Sequence, residues 1–436
     1  MFVTDATGTP IRRVRKGFHL HLTKTGIAII GVFLVAPWVV ILVRAGMRPH
    51  IDPVAQAQSS TVVSATSTTA TTTPATVQKP ATSSGPWGEL EVTPIVIEAP
   101  VDAAIRFAQA DTSTWFFAEC TAEKLARIVK TAGVTDAQRE AILQAAIADP
   151  SINGMRVKLD PTVIVSLSHE ARTALYQVLS EDPRNPQAEP FRRRPNPAMD
   201  WFADIGLSDE TVAMARKLVY RRGDMEAFAD VSAIVPTLHT DAERGQLFRA
   251  LSSQAVLVVQ LRIGPQSDLR KLVEYWGKGD REREVGPLLE SLSKVPGGDE
   301  INVAQLLPQF PRSRIYTYPE PTGTTANGTH DCHWTSLNFW NATPDDRFTN
   351  PANVRDQLGR EYHAVDKPTQ LGDVIFLLDQ KGQGIHSATY VADDIVFTKN
   401  GTSVAAPWVL MRLPNLLSYY ENVDVVKTLV FRKNGV

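Results

Sequence analysis

An uncharged run of 18 residues, "GIAIIGVFLVAPWVVILV" from Gly26 to Val43, is the feature that most constrains this 436-residue chain. A helix of that length is close to the span of a bilayer core, and Pro37 inside it is tolerated in membrane helices. The basic residues are unevenly distributed around the run. Before it stand Arg12, Arg13, Arg15, Lys16 and Lys24, and after it, before Asp52, stand Arg44 and Arg48. The positive-inside rule predicts a basic cytoplasmic tail over 1–25.

A cleaved signal peptide is the alternative, because Ala55-Gln56-Ala57 resembles a small-x-small cleavage site. That site lies about a dozen residues past the apolar run, and the run is longer than an ordinary signal-peptide core. We therefore expect an uncleaved, single-pass helix over 26–43 in the inner (cytoplasmic) membrane. The domains that follow it are then periplasmic or otherwise extracytoplasmic.

Residues 44–86 are rich in Ser, Thr and Pro, most clearly in "SSTVVSATSTTATTTPATVQKPATSSGP" from Ser59 to Pro86. Such a segment has too little apolar surface to offset the entropy of ordering it. The composition predicts a disordered linker that tethers the remaining chain.

Residues 87–300 show mainly helical patterns, and the sequence predicts an α-helical accessory domain there. Polar residues that can cap a helix precede amphipathic runs at five places. These residues are Thr135, Ser168, Ser208, Thr240 and Ser267. A sixth helix is predicted over "REREVGPLLESLSKV", and two short apolar runs, "VIVSL" and "AVLVVQLRI", are candidate strands.

An arginine run in the same region, Arg192 to Arg194 in "FRRRP", has two interpretations. It could bind an anionic polymer, or it could be a solvated loop in a proline-rich connection. The net charge of the chain, −2, supplies no general reason to expect a nucleic-acid partner.

From residue 301 to 436 the pattern changes to β-branched and aromatic segments, which predict antiparallel strands after a helix that begins near Cys332. The strand-like segments are "LGDVIFLLDQ", "IHSATYVAD", "DIVFTKNG" and "VVKTLVFRKN", and "LPNLLSYYE" is typical of a short helix. This order indicates an α+β domain, so the whole chain is predicted to be α+β with a helical middle.

The chain has two cysteines, Cys120 and Cys332, which are too few for a disulfide framework, although one bridge would form if both met in an oxidising compartment. Cys120 follows two Phe residues and is typical of a small buried hydrophobe. Cys332 follows a Gly-containing polar loop at a predicted helix start, with Asp331 as the N-cap. A helix N-terminus favours the thiolate, so Cys332 is the candidate nucleophile.

A cysteine nucleophile needs a base and a third group that orients the base. His386 opens a predicted strand after the loop "QKGQG" and is the candidate base. A two-residue turn at Asp393-Asp394 would place His386 on one face with Phe397 and Lys399. A three-residue turn would instead pair that face with Thr398 and Asn400. Lysine cannot accept an imidazole N–H, so we predict Asn400 as the orienting group, with Thr398 second.

These segments resemble the catalytic core of the NlpC-type cysteine peptidases. Asp331-Cys332 at a helix start, Gly372-Asp373 before an apolar strand, and His386 followed by Tyr390 occur in the order of that family. The resemblance covers about residues 315–432. It departs after the cysteine, where the family usually has Ser-Gly and this chain has His333-Trp334.

The resemblance implies a papain-like α+β fold, a Cys-His-polar triad, and hydrolysis of peptide or amide bonds in bacterial peptidoglycan. It also implies a third triad residue in the segment from Thr398 to Asn400. A tyrosine before the cysteine often assists the site in that family, and Tyr318 is the nearest candidate.

Together these observations predict a membrane-anchored, extracytoplasmic cysteine peptidase or amidase with Cys332, His386 and Asn400 as its catalytic residues. No cofactor and no metal are expected. The expected partners are the membrane, a peptidoglycan or other peptide substrate, and an envelope protein at the middle region. Two alternatives remain open: a thiol hydrolase or acyltransferase with a non-wall substrate, and an inactive envelope scaffold.

Overall fold

A computed structural model describes residues 81–100, 113–195, 200–319, 330–403, 405–420 and 427–436, all within one compact unit, Ala75–Val436. The predicted cytoplasmic tail, the predicted membrane helix over 26–43 and the linker up to residue 80 lie outside the described residues. Among the residues that are described, no helix combines the length and apolar character needed to cross a membrane.

Helices and strands are interspersed along the described residues. The helices are α1 (Ala122–Thr131), α2 (Asp136–Gln144), α3 (Pro161–Ser166), α4 (His169–Leu179), α5 (Asp209–Leu218), α6 (Val231–Ile234), α7 (Asp241–Ser252), α8 (Leu269–Trp276), α9 (Glu282–Ser293), α10 (Gln309–Arg314), α11 (Cys332–Leu337), α12 (Pro351–Glu361) and α13 (Leu413–Tyr420). The strands are β1 (Ala81–Gly85), β2 (Gly88–Ile97), β3 (Thr114–Phe117), β4 (Ala146–Asp149), β5 (Gly154–Lys158), β6 (Phe191–Arg193), β7 (Tyr220–Arg222), β8 (Met225–Phe228), β9 (Gln254–Ile263), β10 (Asp299–Asn302), β11 (Tyr362–Val365), β12 (Val374–Leu378), β13 (Gly384–Ala392), β14 (Ile395–Lys399), β15 (Trp408–Arg412) and β16 (Lys427–Lys433).

The predicted fold class is wrong for the middle of the chain, although the overall α+β character is correct. Residues 87–300 are not an α-helical domain, because strands from this region form three antiparallel sheets. Their strand orders are β1-β2-β9-β10, β3-β5-β4 and β6-β8-β7. Strands β3 to β8 have three to five residues each. A period-2 pattern is hard to recognise over so few residues.

Two local predictions fail for identifiable reasons. The segment "VIVSL" lies largely in helix α3 rather than in a strand, because Asp160 caps the helix through the N–H of Thr162 and Pro161 occupies its first turn. The linker prediction extends too far, because Ala81–Gly85 forms strand β1 and pairs antiparallel with β2. Pairing along the edge of β2 orders a segment whose own composition is typical of disorder.

The N-cap residues predicted from the sequence are correct at four of the five helix starts. Thr135 and Thr240 form complete capping boxes with the residues three positions later. Ser168 and Ser208 cap their helices through backbone N–H groups. At the fifth site the cap is Asp268, one residue after the predicted Ser267. The predicted strand "AVLVVQLRI" is confirmed as β9.

The C-terminal sheet has six antiparallel strands in the order β11-β16-β12-β13-β14-β15. Helix α11 packs on one face through Trp334 and Leu337, against Phe376 and Phe397. Helix α13 packs on the other face through Leu416 and other side chains in a separate cluster. The hairpin β13–β14, which carries His386, therefore lies between two helical layers.

One hydrophobic cluster joins residues on both sides of the predicted boundary at 300/301. It combines Leu90, Leu261 and Trp276 with Trp334 and Phe376. The hydroxyl of Tyr275 also donates to the carbonyl of Val391 in β13, at 2.7 Å. The C-terminal sheet thus shares its core with the sheet β1-β2-β9-β10.

Candidate active site

Cys332 is the first residue of α11, and the predicted N-cap is present. The carboxylate of Asp331 accepts the backbone N–H of Trp334 at 2.8 Å, which satisfies one of the unpaired donors at the helix start. The Cys332 side chain is buried, with 6% of its surface exposed. Cys120 and Cys332 are both free thiols.

His386 is fully buried in β13 and has two different ring nitrogens. Its Nε2 lies 2.9 Å from Oγ1 of Thr398 in β14. Its Nδ1 has no hydrogen-bond partner in the described part of the chain. The ring stacks on Tyr420 of α13, with 4.3 Å between ring centroids.

The proton position on this imidazole depends on the hydroxyl of Thr398, whose Oγ1 also lies 3.3 Å from the carbonyl oxygen of Ser387. When the hydroxyl donates to that carbonyl, its oxygen accepts from Nε2–H of His386. Nδ1 then carries the free lone pair, which is the state that a general base requires.

The hairpin register explains why Thr398 meets His386. Pairing of Thr389 with Phe397 and of Tyr390 with Val396 places His386, Thr398 and Asn400 on one face. This is the face assignment predicted for a three-residue turn. The turn itself has two residues, however, because Ala392 pairs with Ile395, and an extra residue at Val391 forms a bulge that changes the parity.

Asn400 does not make the predicted bond to His386 in this structure. Its amide nitrogen donates to Sδ of Met411 at 3.4 Å, and its Oδ1 is buried without a partner among the described residues. Thr398 takes the orienting position instead, with Oγ1 at 2.9 Å from Nε2 of His386. Asn400 lies just past the end of β14.

Tyr318 lies away from this site. Its hydroxyl donates to the carbonyl of Ser252 at 2.9 Å, in the hydrophobic cluster of the middle region. The tyrosine that contacts the candidate base is Tyr420. No motif in the sequence distinguishes Tyr420 from its neighbour Tyr419, because its role depends on how α13 packs over the sheet.

The backbone of β13 brings Cys332 next to His386 along the strand. The carbonyl of Cys332 accepts from the hydroxyl of Ser387 at 3.1 Å, and the backbone N–H of Ser387 faces the thiol and lowers its pKa. Side chains alternate along a strand, so Ser387 points to α11 while His386 points to α13. The thiol therefore lies at the strand backbone, between the two layers.

Burial dominates the electrostatics of the thiol. Desolvation raises the pKa of Cys332 to about 12, and the charge of Asp331 adds to this effect. The N–H of Ser387 and the ammonium of Lys399 act in the opposite direction. Near neutral pH the thiol is protonated, so the resting state has no preformed thiolate.

Burial also keeps the imidazole neutral. Desolvation lowers the pKa of His386 well below its usual range, and the nearby charges of His333 and Arg192 lower it further. The thiol and the imidazole are therefore both neutral at rest, unlike a thiolate–imidazolium pair. Any proton transfer from Cys332 must accompany its attack on a carbonyl carbon.

His333 and Lys399 are two polar residues for which the sequence suggested no role. Nδ1 of His333 lies 3.0 Å from Ser387 Oγ, and its Nε2 lies 3.3 Å from the carbonyl oxygen of Gly384. The imidazole also stacks on the ring of Phe376, and together these contacts hold β13. Lys399 is fully buried and donates to two carbonyl oxygens of the loop after β14. Both residues support the strand ends around Cys332.

A cavity of about 440 Å³ lies on the α13 side of the hairpin. Arg192, Arg194, Asn400 and Tyr419 contribute to its wall, together with apolar side chains such as Met411. Within the described ranges, no group of three or more His, Cys, Asp or Glu side chains could hold a metal ion. Through Asn400 the cavity lies on the same side of the hairpin as His386.

Comparisons of the chain with protein-family models, with curated proteins and with solved structures found no match. The resemblance to NlpC-type peptidases therefore rests on the motif residues of the sequence alone.

Proposed function

We propose that this protein is a cysteine hydrolase of amide bonds, with Cys332 as nucleophile and His386 as general base. The observation that carries the proposal is the arrangement of His386. Its Nε2 is held by Thr398, its Nδ1 is buried without a partner among described residues, and Cys332 begins a helix beside the same strand. A nucleophile, a base and an orienting group in this order are the elements of covalent acyl transfer.

The chemistry follows from the neutral resting pair. As Sγ of Cys332 bonds to the amide carbon, the thiol proton passes to Nδ1 of His386. The imidazolium then protonates the leaving amine as the C–N bond breaks, leaving a thioester on Cys332. Water attacks the thioester with His386 again as base, which releases the carboxylate product and restores the thiol.

The backbone N–H of Cys332 belongs to the first turn of α11 and has no acceptor within the helix. It can donate to the oxyanion that forms on the substrate carbonyl. Thr398 is neutral, so it orients His386 without adding a negative charge next to the imidazolium. We expect a lower rate than a carboxylate-supported site would reach.

Cell-wall peptide is the first substrate to test, because the NlpC-type motifs imply it. The full-length chain should release new amino groups from purified peptidoglycan. Cys332→Ala and His386→Gln should each lower the rate at least about a thousandfold. Cys120→Ala removes the other buried free thiol and is the matched control, with a rate near that of the wild type.

The outcomes separate the proposal from its alternatives. Release of amino groups that persists in Cys332→Ala would contradict the nucleophile assignment. Activity on small thioesters or amides but not on peptidoglycan would indicate a hydrolase or acyltransferase with another substrate. Inactivity of the wild type on every acyl substrate would favour a scaffold.

A further inference from the structure

The environment of the arginine run, Arg192 to Arg194, matches neither of the two interpretations made from the sequence. Arg192 lies in β6 and is buried, with 8% of its surface exposed. Its guanidinium stacks on the ring of Tyr419 at 4.4 Å, and one Nη donates to the Tyr419 carbonyl at 3.3 Å. Its Nε is buried with no acceptor in the described chain. A buried charged donor without an acceptor is costly unless a ligand supplies one.

The cavity next to Arg192 also contains an unused acceptor. Asn400 lines the same cavity, and its Oδ1 is buried without a donor among described residues. The register places Asn400 on the face of His386 and Thr398. One cavity therefore offers a buried cationic donor and a buried amide oxygen on the side of the hairpin that carries the proposed base.

The charges around the cavity favour a singly charged anion. Arg193 is neutralised by Glu226 at 3.1 Å. Arg192 and Arg194 remain positive, and Glu189, which also lines the cavity, is negative. The sum is +2 − 1 = +1. A planar guanidinium fork matches a carboxylate in shape, and a net charge of one matches a carboxylate better than a dianionic phosphate.

We propose that this cavity binds the free C-terminal carboxylate of a peptide, with Arg192 donating to the carboxylate and Asn400 Oδ1 accepting the adjoining amide N–H. The apolar part of the wall, which includes Met225 and Met411, accommodates the last side chain. This inference rests on the proposed function, because it names the class of peptide that the Cys332–His386 site would cleave. Asn400 lies on the face of the hairpin that carries His386, so the bound end would lie on the same side of the hairpin as the base.

Binding is tested without turnover, in full-length Cys332→Ala protein. The probes are N-acetylalanine in both enantiomers, N-acetylalaninamide as the uncharged match, and inorganic phosphate. Calorimetric titration should detect binding of at least one N-acetylalanine enantiomer. The affinity for N-acetylalaninamide should be at least about tenfold lower, because the amide cannot form the charge-assisted hydrogen bond. Equal binding of acid and amide, tighter binding of phosphate, or no binding of either acid would overturn the inference.

Two variants locate the site. Arg192→Gln should weaken N-acetylalanine at least about tenfold, and Asn400→Leu, which keeps the arginine, should weaken it by a smaller factor. Arg221→Gln makes the same charge change on the exposed surface of β7 and should have no effect. Unchanged affinity in a folded Arg192→Gln or Asn400→Leu protein would overturn the inference. If N-acetylalanine binds through Arg192 while peptidoglycan and other amides are not cleaved, the hydrolase proposal fails and the carboxylate site stands.

Discussion

At the residue scale, the site depends on a small number of buried polar atoms whose partners are defined. The hydroxyl of Thr398 contacts both Nε2 of His386 and the carbonyl of Ser387, and Nδ1 is the ring nitrogen without a partner among the described residues. Thr389 lies nearby on the opposite face of β13, fully buried, and its hydroxyl has no partner among described residues. These two threonines have the same chemistry and different hydrogen bonding.

We expect Thr398→Val to lower the free energy of unfolding by about 1–3 kcal/mol, because Nε2 of His386 would remain buried without a partner. Thr389→Val should leave the stability unchanged or raise it slightly, because it removes an unpaired hydroxyl. Urea denaturation of both variants measures the difference. Equal effects of the two substitutions would show that the Thr398–His386 bond contributes nothing specific.

The buried state of His386 predicts a dependence of stability on pH. The unfolded chain binds a proton at His386 below about pH 6.5, whereas the folded chain resists protonation because burial lowers the pKa. This contribution to stability is therefore present above about pH 6.5 and is lost as the pH falls.

His386→Gln should remove this contribution to the dependence of the free energy of unfolding on pH. Between pH 6.5 and 5, the stability of the wild type should fall more steeply than that of the variant, by up to about 1.4 kcal/mol per pH unit. Guanidinium denaturation at several pH values provides the measurement. Parallel curves would mean that His386 has similar proton affinities in the folded and unfolded chains.

At the element scale, the hairpin β13–β14 aligns the site through its bulge and its turn. The bulge at Val391 places Thr398 rather than Lys399 on the face of His386. The hydroxyl of Tyr275 donates to the carbonyl of Val391 and so holds the bulge. Asp393 in the turn has a positive φ of 56°, a conformation that costs a residue with a Cβ more than it costs glycine.

Two substitutions of Asp393 isolate this backbone cost. Both Asp393→Gly and Asp393→Ala remove the contact with Arg412, which lies 3.2 Å from the carboxylate. We expect the glycine variant to be more stable than the alanine variant by about 1 kcal/mol, because only glycine adopts this φ without strain. Thermal denaturation compares them, and an alanine variant of equal stability would contradict the turn geometry.

At the scale of the whole molecule, the region before residue 301 supplies part of the core of the C-terminal sheet. Strand β9 packs against β15, and Trp276 belongs to the cluster that includes Trp334. The indole of Trp276 also donates to the carbonyl of Trp87, at 2.9 Å. The candidate site therefore depends on residues far from it in the sequence.

A fragment of residues 301–436 should consequently fail to fold alone, because part of one face of its sheet would lose its apolar cover. We expect weak near-ultraviolet circular dichroism and no cooperative thermal transition, in contrast to the full-length chain. A fragment with a native-like aromatic spectrum and a sharp transition would support an independent domain that begins at residue 301.

Much of the local structure was predictable because it depends on residues close in the chain. Capping at Thr135, Ser168 and Asp331 joins groups three positions apart, so the sequence shows both partners together. The helix start at Cys332 and the strand that begins near His386 follow from such local patterns. The sheets of residues 87–300 do not, because their short strands are stabilised by pairing with distant segments.

The sequence alone determined the candidate nucleophile and base, the helix start at Cys332 and the two residues from which the orienting group would come. The tertiary structure decided between those two, since Oγ1 of Thr398 lies 2.9 Å from Nε2 of His386 while Asn400 bonds to Met411 instead. It also stacked Tyr420 on His386 and buried both candidate groups, Cys332 and His386. Burial determines their protonation states because the charged form loses its hydration, and hydration depends on the folded surroundings rather than on neighbouring residues in the chain.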